Sequence, residues 1–167
     1  FTLRKRPSTI FTLDQYVEQG ALLPLHFDFL CDAVSSRKNI FVVGSTGSGK
    51  TTFVNALIDK VATLTPEDRI NIIEDTGELQ CAAPNTEQLF TTFNRTLADL
   101  VKETLRMRPN RIIIGEVRGE EALYLLEIWN TGHNGGIATA HADTASPQSG
   151  LERLEMLVSR ANAKLSN

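Results

Sequence analysis

The sequence contains little that would mark a secreted, membrane-spanning or nucleic-acid-binding protein. Its 167 residues include two cysteines, Cys31 and Cys81, which form neither a C-x-x-C pair nor a zinc-ligand set, so we expect buried thiols in a reducing compartment. No apolar run approaches the roughly 18 residues of a membrane span, and no signal-peptide pattern is visible. The formal net charge of −3 provides no overall positive charge for DNA, RNA or anionic lipid. We therefore expect a cytoplasmic protein that reaches a membrane only through a partner.

Four short apolar runs alternate with segments of helical periodicity. The predicted buried strands are Ile40–Val43, Ile70–Ile73, Ile112–Ile114 and Ile137–Ala140. Helices are predicted over about 13–20, opened by the capping-box spacing of Thr12 and Gln15, and over 26–36, 50–62, 97–105, 122–131 and from 151 onward. The polar stretch 77–92 is predicted to be irregular. This alternation indicates an α/β fold with a parallel sheet flanked by helices on both faces.

The segment 44–51 reads Gly-Ser-Thr-Gly-Ser-Gly-Lys-Thr and lies between the first predicted strand and a predicted helix. Its glycines allow backbone conformations and a close approach that side chains would block. Backbone N–H groups at a helix N-terminus then surround a phosphate, the lysine reaches the β- and γ-phosphates, and the threonine hydroxyl binds Mg²⁺. The predicted nucleotide-binding residues are Gly44, Ser45, Thr46, Gly47, Ser48, Gly49, Lys50, Thr51 and Thr52. We predict that the chain binds a nucleoside triphosphate, against the alternative of a chance Gly/Ser-rich turn.

Acidic residues follow two further predicted strands. Glu74, Asp75 and Glu78 come after the second strand, whereas Glu116 and Arg118 come after the third. Ligands of parallel α/β sheets bind outside the carboxyl ends of the strands, and hydrolysis of a γ-phosphate needs a carboxylate for the water and a cation for the developing charge. Glu78 and Glu116 are candidates for the carboxylate, and Arg118 is a candidate for the cation. Which acid near Glu74 meets metal or water stays open, and Glu116 has the alternative role of a helix N-terminal acid.

Two details of these motifs need separate interpretation. Many P-loop enzymes place a Mg²⁺-binding Asp where this chain has Gly115. His133 and His141 flank the last predicted strand, which is poor spacing for a shared zinc ion, and no cysteine or third histidine lies nearby in sequence. A histidine at the end of that strand is better interpreted as a sensor of the γ-phosphate.

Four motifs in order resemble the secretion traffic ATPases, the family that drives type II and type IV secretion and type IV pili. They are GSTGSGKT (44–51), IIEDTGEL (72–79), LRMRPNRIIIGEVRG (105–119) and TGHNGGIATAHAD (131–143). The resemblance covers nearly the whole chain and is greatest to the conjugal-transfer branch of type IV secretion. It implies a RecA-like P-loop NTPase fold that binds ATP and Mg²⁺. Residues 1–12, with the basic run LRKRPS, resemble the linker from an N-terminal domain, and residues 13–167 resemble a motor domain whose C-terminal end lies outside this sequence.

The resemblance also implies residue roles and partners. Glu78 corresponds to the acid-box glutamate, Glu116 to the residue that polarises the attacking water, and the histidine box would contain His133 and His141. Arginines of the family match Arg106, Arg108 and, in the linker, Arg4, while Asn110 replaces the usual Asp. The family works as a homo-hexamer, so we expect one here, recruited to the cytoplasmic face of the inner membrane by components of a secretion or conjugation machine, without direct nucleic-acid binding.

Other functions remain as alternatives. Within the family, the runner-up is a type IV pilus or type II secretion ATPase for assembly or retraction. A small-molecule P-loop kinase would need an arginine-bearing lid and an acceptor site, and it leaves the acid and histidine motifs unexplained. A nucleotide-gated assembly module would bind nucleotide without turnover, which the presence of Lys50, Thr51 and Glu116 disfavours.

Overall fold

The computed structural model describes residues 10–142 and 146–165, with side chains up to residue 163. Within these ranges the strands are β1 (Ile40–Gly44), β2 (Ile70–Glu74), β3 (Thr86–Phe90), β4 (Arg111–Ile114) and β5 (Ile137–His141). The helices are α1 (Leu13–Glu18), α2 (Pro24–Ser35), α3 (Lys50–Leu64), α4 (Leu97–Thr104), α5 (Glu121–Asn130) and α6 (Pro147–Leu165), with a 3₁₀ turn at Leu105–Met107. The predicted linker 1–12 lies mostly outside the described residues, and Arg4 lies wholly outside them.

The five strands form one parallel sheet in the order β1-β5-β4-β2-β3. Because all strands run the same way, their carboxyl ends lie along one edge of the sheet, the carboxyl edge, and their starts lie along the opposite amino edge. Strand β3 lies in a stretch predicted to be irregular, so that prediction was wrong. The sequence Thr-Glu-Gln-Leu-Phe has no continuous apolar run, because this outer strand is only partly buried.

Alternate side chains of the central strands enter two separate cores. Ile72 and Ile113 pack on one face with α3, whereas Ile73, Ile112 and Ile114 pack on the other. The first core also contains residues of α1 and α2, and the second contains residues of α4, α5 and α6. Helices therefore cover both faces, and the predicted α/β layering is confirmed.

The helix ends follow local capping chemistry. The Gln15 N–H donates to Thr12 Oγ1 at 3.3 Å, and the Thr12 N–H donates to Gln15 Oε1 at 2.9 Å, so the predicted capping box is confirmed. Helix α6 begins at Pro147, a full turn before its predicted apolar stripe. Cys31 and Cys81 are partly buried, where full burial was expected, and desolvation raises the pKa of Cys31. No helix in the described part of the chain has the length and apolar character to cross a membrane.

A buried arginine joins the elements at the amino edge. Arg111 is 1% exposed, and its guanidinium donates to Asp68 Oδ2 at 2.7 Å, to the Val34 carbonyl at 2.8 Å and to the Gly135 carbonyl at 3.3 Å. Arg37 forms a second ion pair with Asp68. These contacts connect α2 with the starts of β4 and β5, on the side of the sheet away from the carboxyl edge.

Candidate active site

A cavity of about 640 Å³ lies at the carboxyl edge, within the size range of small-molecule sites. Its walls come from the loop after β1, the loops after β2 and β4, and the end of β5. The lining residues are Thr46, Gly47, Ser48, Gly49, Lys50, Thr51, Thr52, Glu74, Asp75, Thr76, Glu78, Leu79, Gly115, Glu116, Arg118, Thr139 and His141. Four sequence-distant segments thus meet where strand direction predicted that they would.

The loop between β1 and α3 has the backbone shape of a phosphate cradle. Gly47 and Gly49 have φ values of 75° and 87°, in the left-handed region that favours glycine, and α3 begins directly after Gly49. The Lys50 ammonium donates to the carbonyls of Gly44 at 2.7 Å and Ser45 at 2.8 Å. The loop therefore presents a lysine and a helix N-terminus to the same cavity, which is the donor set for phosphate oxygens.

Glu74 organises the acidic loop after β2 and is 3% exposed. Its Oε2 accepts hydrogen bonds from the backbone N–H groups of Glu78 at 2.8 Å and Leu79 at 3.1 Å. Its Oε1 accepts a hydrogen bond from the Gln88 side-chain amide on β3. Of the acids that the sequence left unranked, Glu74 thus serves to hold the loop that carries Glu78.

Asn55, on the buried face of α3, holds the same loop from the other side. Its amide donates to the Glu78 carbonyl at 3.1 Å, and its Oδ1 accepts from the Gln80 N–H at 2.9 Å. Our sequence interpretation missed Asn55 and Gln88. The signal for Asn55 was available, since it is a polar residue among the apolar positions of an amphipathic helix.

Thr51 and Glu78 bring two oxygen ligands together at the start of α3. The Thr51 hydroxyl donates to Glu78 Oε2 at 3.4 Å. Mg²⁺ is usually held by one or two protein oxygens together with phosphates and water, so this pair is sufficient for it. The hydroxyl, the carboxylate and the lysine-bearing loop fit a nucleoside triphosphate with Mg²⁺.

Gly115 explains why the usual Asp is absent from the end of β4. A Cβ at this position would lie 2.9 Å from the Cβ of Glu74 on the neighbouring strand. The Thr139 hydroxyl also donates to the Gly115 carbonyl at 2.6 Å, which fixes this backbone against β5. Close packing against Glu74 therefore excludes a side chain here, and the next residue, Glu116, is the first acid of the loop.

Glu116 and Arg118 form an ion pair inside the cavity. Arg118 Nη2 lies 2.5 Å from Glu116 Oε2, and the Glu116 carboxylate raises the pKa of Arg118. The role of helix N-terminal acid belongs to Glu121, whose Oε1 accepts from the N–H groups of Arg118 at 2.5 Å and Gly119 at 2.7 Å. Helix α5 begins at Glu121, so the alternative of Glu116 as a helix N-terminal acid was wrong.

The two histidines lie at opposite ends of β5. His141 is the last residue of the strand and lines the cavity. His133 precedes the strand at the amino edge. Its backbone N–H donates to the Ile128 carbonyl at 3.3 Å, and the buried Nδ1 of its ring has no partner among the described residues. Five strand residues span roughly 13 Å or more. The resemblance placed both histidines in one histidine box, but of the two it is His141 that lines the cavity, and His133 does not.

The arginines around the 3₁₀ turn are also remote from the cavity. Arg106 lies in that turn and Arg108 follows it, both before β4 and at the amino edge. The Asn110 side chain accepts from the Arg69 N–H at 2.8 Å, which aligns the starts of β2 and β4. Asn110 therefore has a local structural role at the position where the resemblance leads one to expect Asp.

Comparison with known proteins agrees with this geometry. The family model described as "Type II/IV secretion system protein" matches residues 2–167. The conjugal transfer protein TrbB of Rhizobium radiobacter is 47% identical over 99% of this chain and 50% of its own length. The type IV secretion system protein VirB11 of Bartonella henselae is 42% identical over 78% of this chain and 37% of its own length. The chain spans about half the length of the curated TrbB relatives it matches.

Solved structures show the same architecture. The VirB11 ATPase of the Brucella suis type IV secretion system, in complex with sulphate, superposes with a TM-score of 0.76 and 32% identity over 98% of this chain and 54% of that one. The pilus retraction motor PilT with bound ADP superposes with a TM-score of 0.67 and 25% identity over 90% of this chain and 42% of that one. The predicted RecA-like P-loop fold and the resemblance read from the four motifs are confirmed.

Proposed function

Because the chain belongs to the type II/IV secretion system protein family, we propose that it is the ATP-hydrolysing part of a motor for type IV secretion or conjugal transfer. The observation that carries the proposal is one cavity that joins the phosphate loop to Glu78, Glu116, Arg118 and His141. The identity to conjugal-transfer and type IV secretion proteins supports this branch of the family.

The residues divide the work of hydrolysis between them. Lys50 and the loop N–H groups bind and orient the phosphates, while Thr51 and Glu78 would hold Mg²⁺, which neutralises charge on the phosphate oxygens when bound. Glu116 orients the attacking water and takes its proton at a carboxylate oxygen. Arg118 and His141 face the same space and meet the charge that develops on the γ-phosphate.

Substitutions of Glu116 and Lys50 test this assignment. Glu116→Gln should keep ATP binding and lower phosphate release by about a hundredfold or more, because the amide cannot take a proton from water. Lys50→Ala should weaken binding and release together, because the cation on the phosphates is lost. Glu87→Gln and Lys38→Ala are matched controls at exposed positions outside the cavity. Normal turnover in Glu116→Gln would contradict the role given to Glu116.

The same assay separates the alternative functions. Phosphate release that needs a small-molecule acceptor would favour a kinase, and binding without any turnover would favour a nucleotide-gated module. The likeness to PilT supports pilus retraction as a second candidate. It ranks second because the sequence identity to PilT is 25%, against 47% to TrbB. Loss of conjugal transfer but not of pilus retraction, in cells carrying Glu116→Gln, would decide for the first.

Family membership also supports the proposed assembly. We propose that the whole protein acts as a homo-hexamer at the cytoplasmic face of the inner membrane, bound to components of the secretion or conjugation machine and not to nucleic acid directly. Light scattering with ATP and Mg²⁺ should give six times the protomer mass. A stable monomer under those conditions would contradict the hexamer.

A further inference from the structure

Arg118 lies between two carboxylates that belong to different loops. Its Nη2 contacts Glu116 Oε2 at 2.5 Å on its own loop, and its Nη1 contacts Asp75 Oδ2 at 3.4 Å on the loop after β2. The Thr91 hydroxyl, after β3, donates to Asp75 Oδ1 at 3.0 Å and keeps that carboxylate in place. The guanidinium thus connects the loop after β4 with the acidic loop after β2.

The planar guanidinium suits this shared position. Its N–H donors form a rigid fork, so one Nη can serve each carboxylate at the same time. The Arg118 side chain is 64% exposed, which leaves room for it to move between the two partners. Glu121, the other nearby acid, uses its Oε1 on the backbone N–H groups of Arg118 and Gly119.

The balance between the two contacts matters for Glu116. A carboxylate oxygen that accepts a short hydrogen bond from a guanidinium is less available to a water molecule, because both compete for the same lone pairs. A second acceptor for the guanidinium reduces that competition. Asp75 is the residue placed to be this second acceptor.

We propose that Asp75 is a positioning residue that draws the Arg118 guanidinium away from Glu116 and so leaves the Glu116 carboxylate available to the attacking water. The proposal rests on the proposed function of Glu116. Thr91 takes part by holding Asp75 where the guanidinium reaches it. Asp75 itself acts through Arg118 and does not contact the reacting atoms.

Chemical labelling tests the shared contact without nucleotide or turnover. Phenylglyoxal modifies arginine, and ion pairing slows the reaction because it needs the neutral guanidinium. The labelling rate of Arg118, measured by peptide mass spectrometry in the full chain, should be lowest in the wild type and higher in Glu116→Gln. It should be about threefold higher again in Glu116→Gln/Asp75→Asn than in Glu116→Gln, as the loss of one exposed ion pair allows. Equal rates in these two variants would overturn the proposal. Asp28→Asn, an exposed position on α2, is the matched control.

Kinetics then test the consequence. Asp75→Asn should lower kcat by about three- to fivefold, the upper part of what an exposed ion pair contributes, and leave the nucleotide KM unchanged. Thr91→Val should act in the same direction. In an Arg118→Gln background, Asp75→Asn should have no further effect, because its partner is gone. A loss of kcat that persists in that background would show that Asp75 only shapes the loop, and an unchanged kcat in Asp75→Asn would also overturn the proposal.

The two experiments fail separately. If the wild-type protein released no phosphate, the proposed ATPase function would fail, while the labelling rates would still decide whether Asp75 and Glu116 share Arg118. If the protein hydrolysed ATP and the labelling rates of the single and double variants were equal, the ATPase function would stand and the role of Asp75 would fail.

Discussion

Removal of the Glu74 side chain should lower both the stability of the fold and phosphate release, because Glu74 holds the loop that carries Glu78. In Glu74→Ala, the N–H groups of Glu78 and Leu79 and the amide of Gln88 lose a buried carboxylate as their acceptor. A hydrogen bond to a charged group contributes about 1.5–3 kcal/mol, and an unpaired buried donor such as the N–H of Leu79 costs about 1–3 kcal/mol. Part of this loss is offset, because the substitution also removes the desolvation penalty of the buried Glu74 carboxylate. We expect a net loss of about 2–4 kcal/mol of unfolding free energy, which a domain of ordinary stability survives.

The comparison with Glu78→Ala makes the prediction specific. Glu78 is partly exposed, and its side chain accepts a long hydrogen bond of 3.4 Å from Thr51. Its removal should change the unfolding free energy by less than about 1 kcal/mol. Both variants should lose phosphate release, Glu78→Ala because a proposed Mg²⁺ ligand is absent and Glu74→Ala because that ligand is misplaced.

Urea unfolding followed by circular dichroism, together with a phosphate-release assay, measures both effects. Glu87→Ala, the same truncation at an exposed position of β3, is the control and should stay within about 0.5 kcal/mol of the wild type. The reasoning is refuted if Glu74→Ala is as stable as this control, or if Glu78→Ala loses as much stability as Glu74→Ala.

Three further substitutions test a close packing contact, a buried ion pair and a helix cap in different parts of the fold. Gly115→Ala should cost about 1–3 kcal/mol and lower the melting temperature, since its Cβ would lie 2.9 Å from a side-chain carbon of β2. Asp68→Asn should lower the unfolding free energy by about 3–5 kcal/mol, and with it the urea midpoint, because Arg111 is buried and loses its charged partner. An unchanged midpoint would count against that ion pair. The Thr96 side chain and backbone lower the pKa of Asp99 from 3.8, so this cap stabilises the fold above that pH and is lost as the pH falls through the lower folded value. Thr96→Ala should therefore weaken the pH dependence of stability below about pH 4, as measured by unfolding at pH 6 and at pH 3.

The central strands were predictable because burial on both faces leaves a continuous apolar run. Ile112–Ile114 is such a run, and Ile70–Ile73 is one that a single polar residue, Asn71, interrupts. The structure buries every one of these positions. Strand β3 was not predictable from the same signal. It lies at the end of the sheet, where one partner strand suffices and polar residues such as Glu87 and Gln88 are tolerated.

The acids of the site show a different limit. Strand direction predicted that Glu74, Asp75, Glu78 and Glu116 would gather at one edge, and they do. Their roles depend on which oxygen meets which donor. Glu74 is buried because a β-strand side chain at its position points between β3 and the acidic loop, and no local pattern reports that the amide of Gln88 lies there.

The two histidines of the histidine motif lie far apart because strand β5 lies between them. A strand of five residues carries its two ends about 13 Å or more apart, so residues that flank it lie on opposite edges of the sheet. His141 follows the direction of β5 into the cavity, whereas His133 stays near the Gly135–Gly136 turn, whose N–H groups donate to Asn39 Oδ1 at 2.9 and 3.1 Å. Proximity in a motif therefore argues for a shared site only when no strand intervenes. The same rule keeps Glu116 and Arg118 together, because both follow β4 without an intervening element.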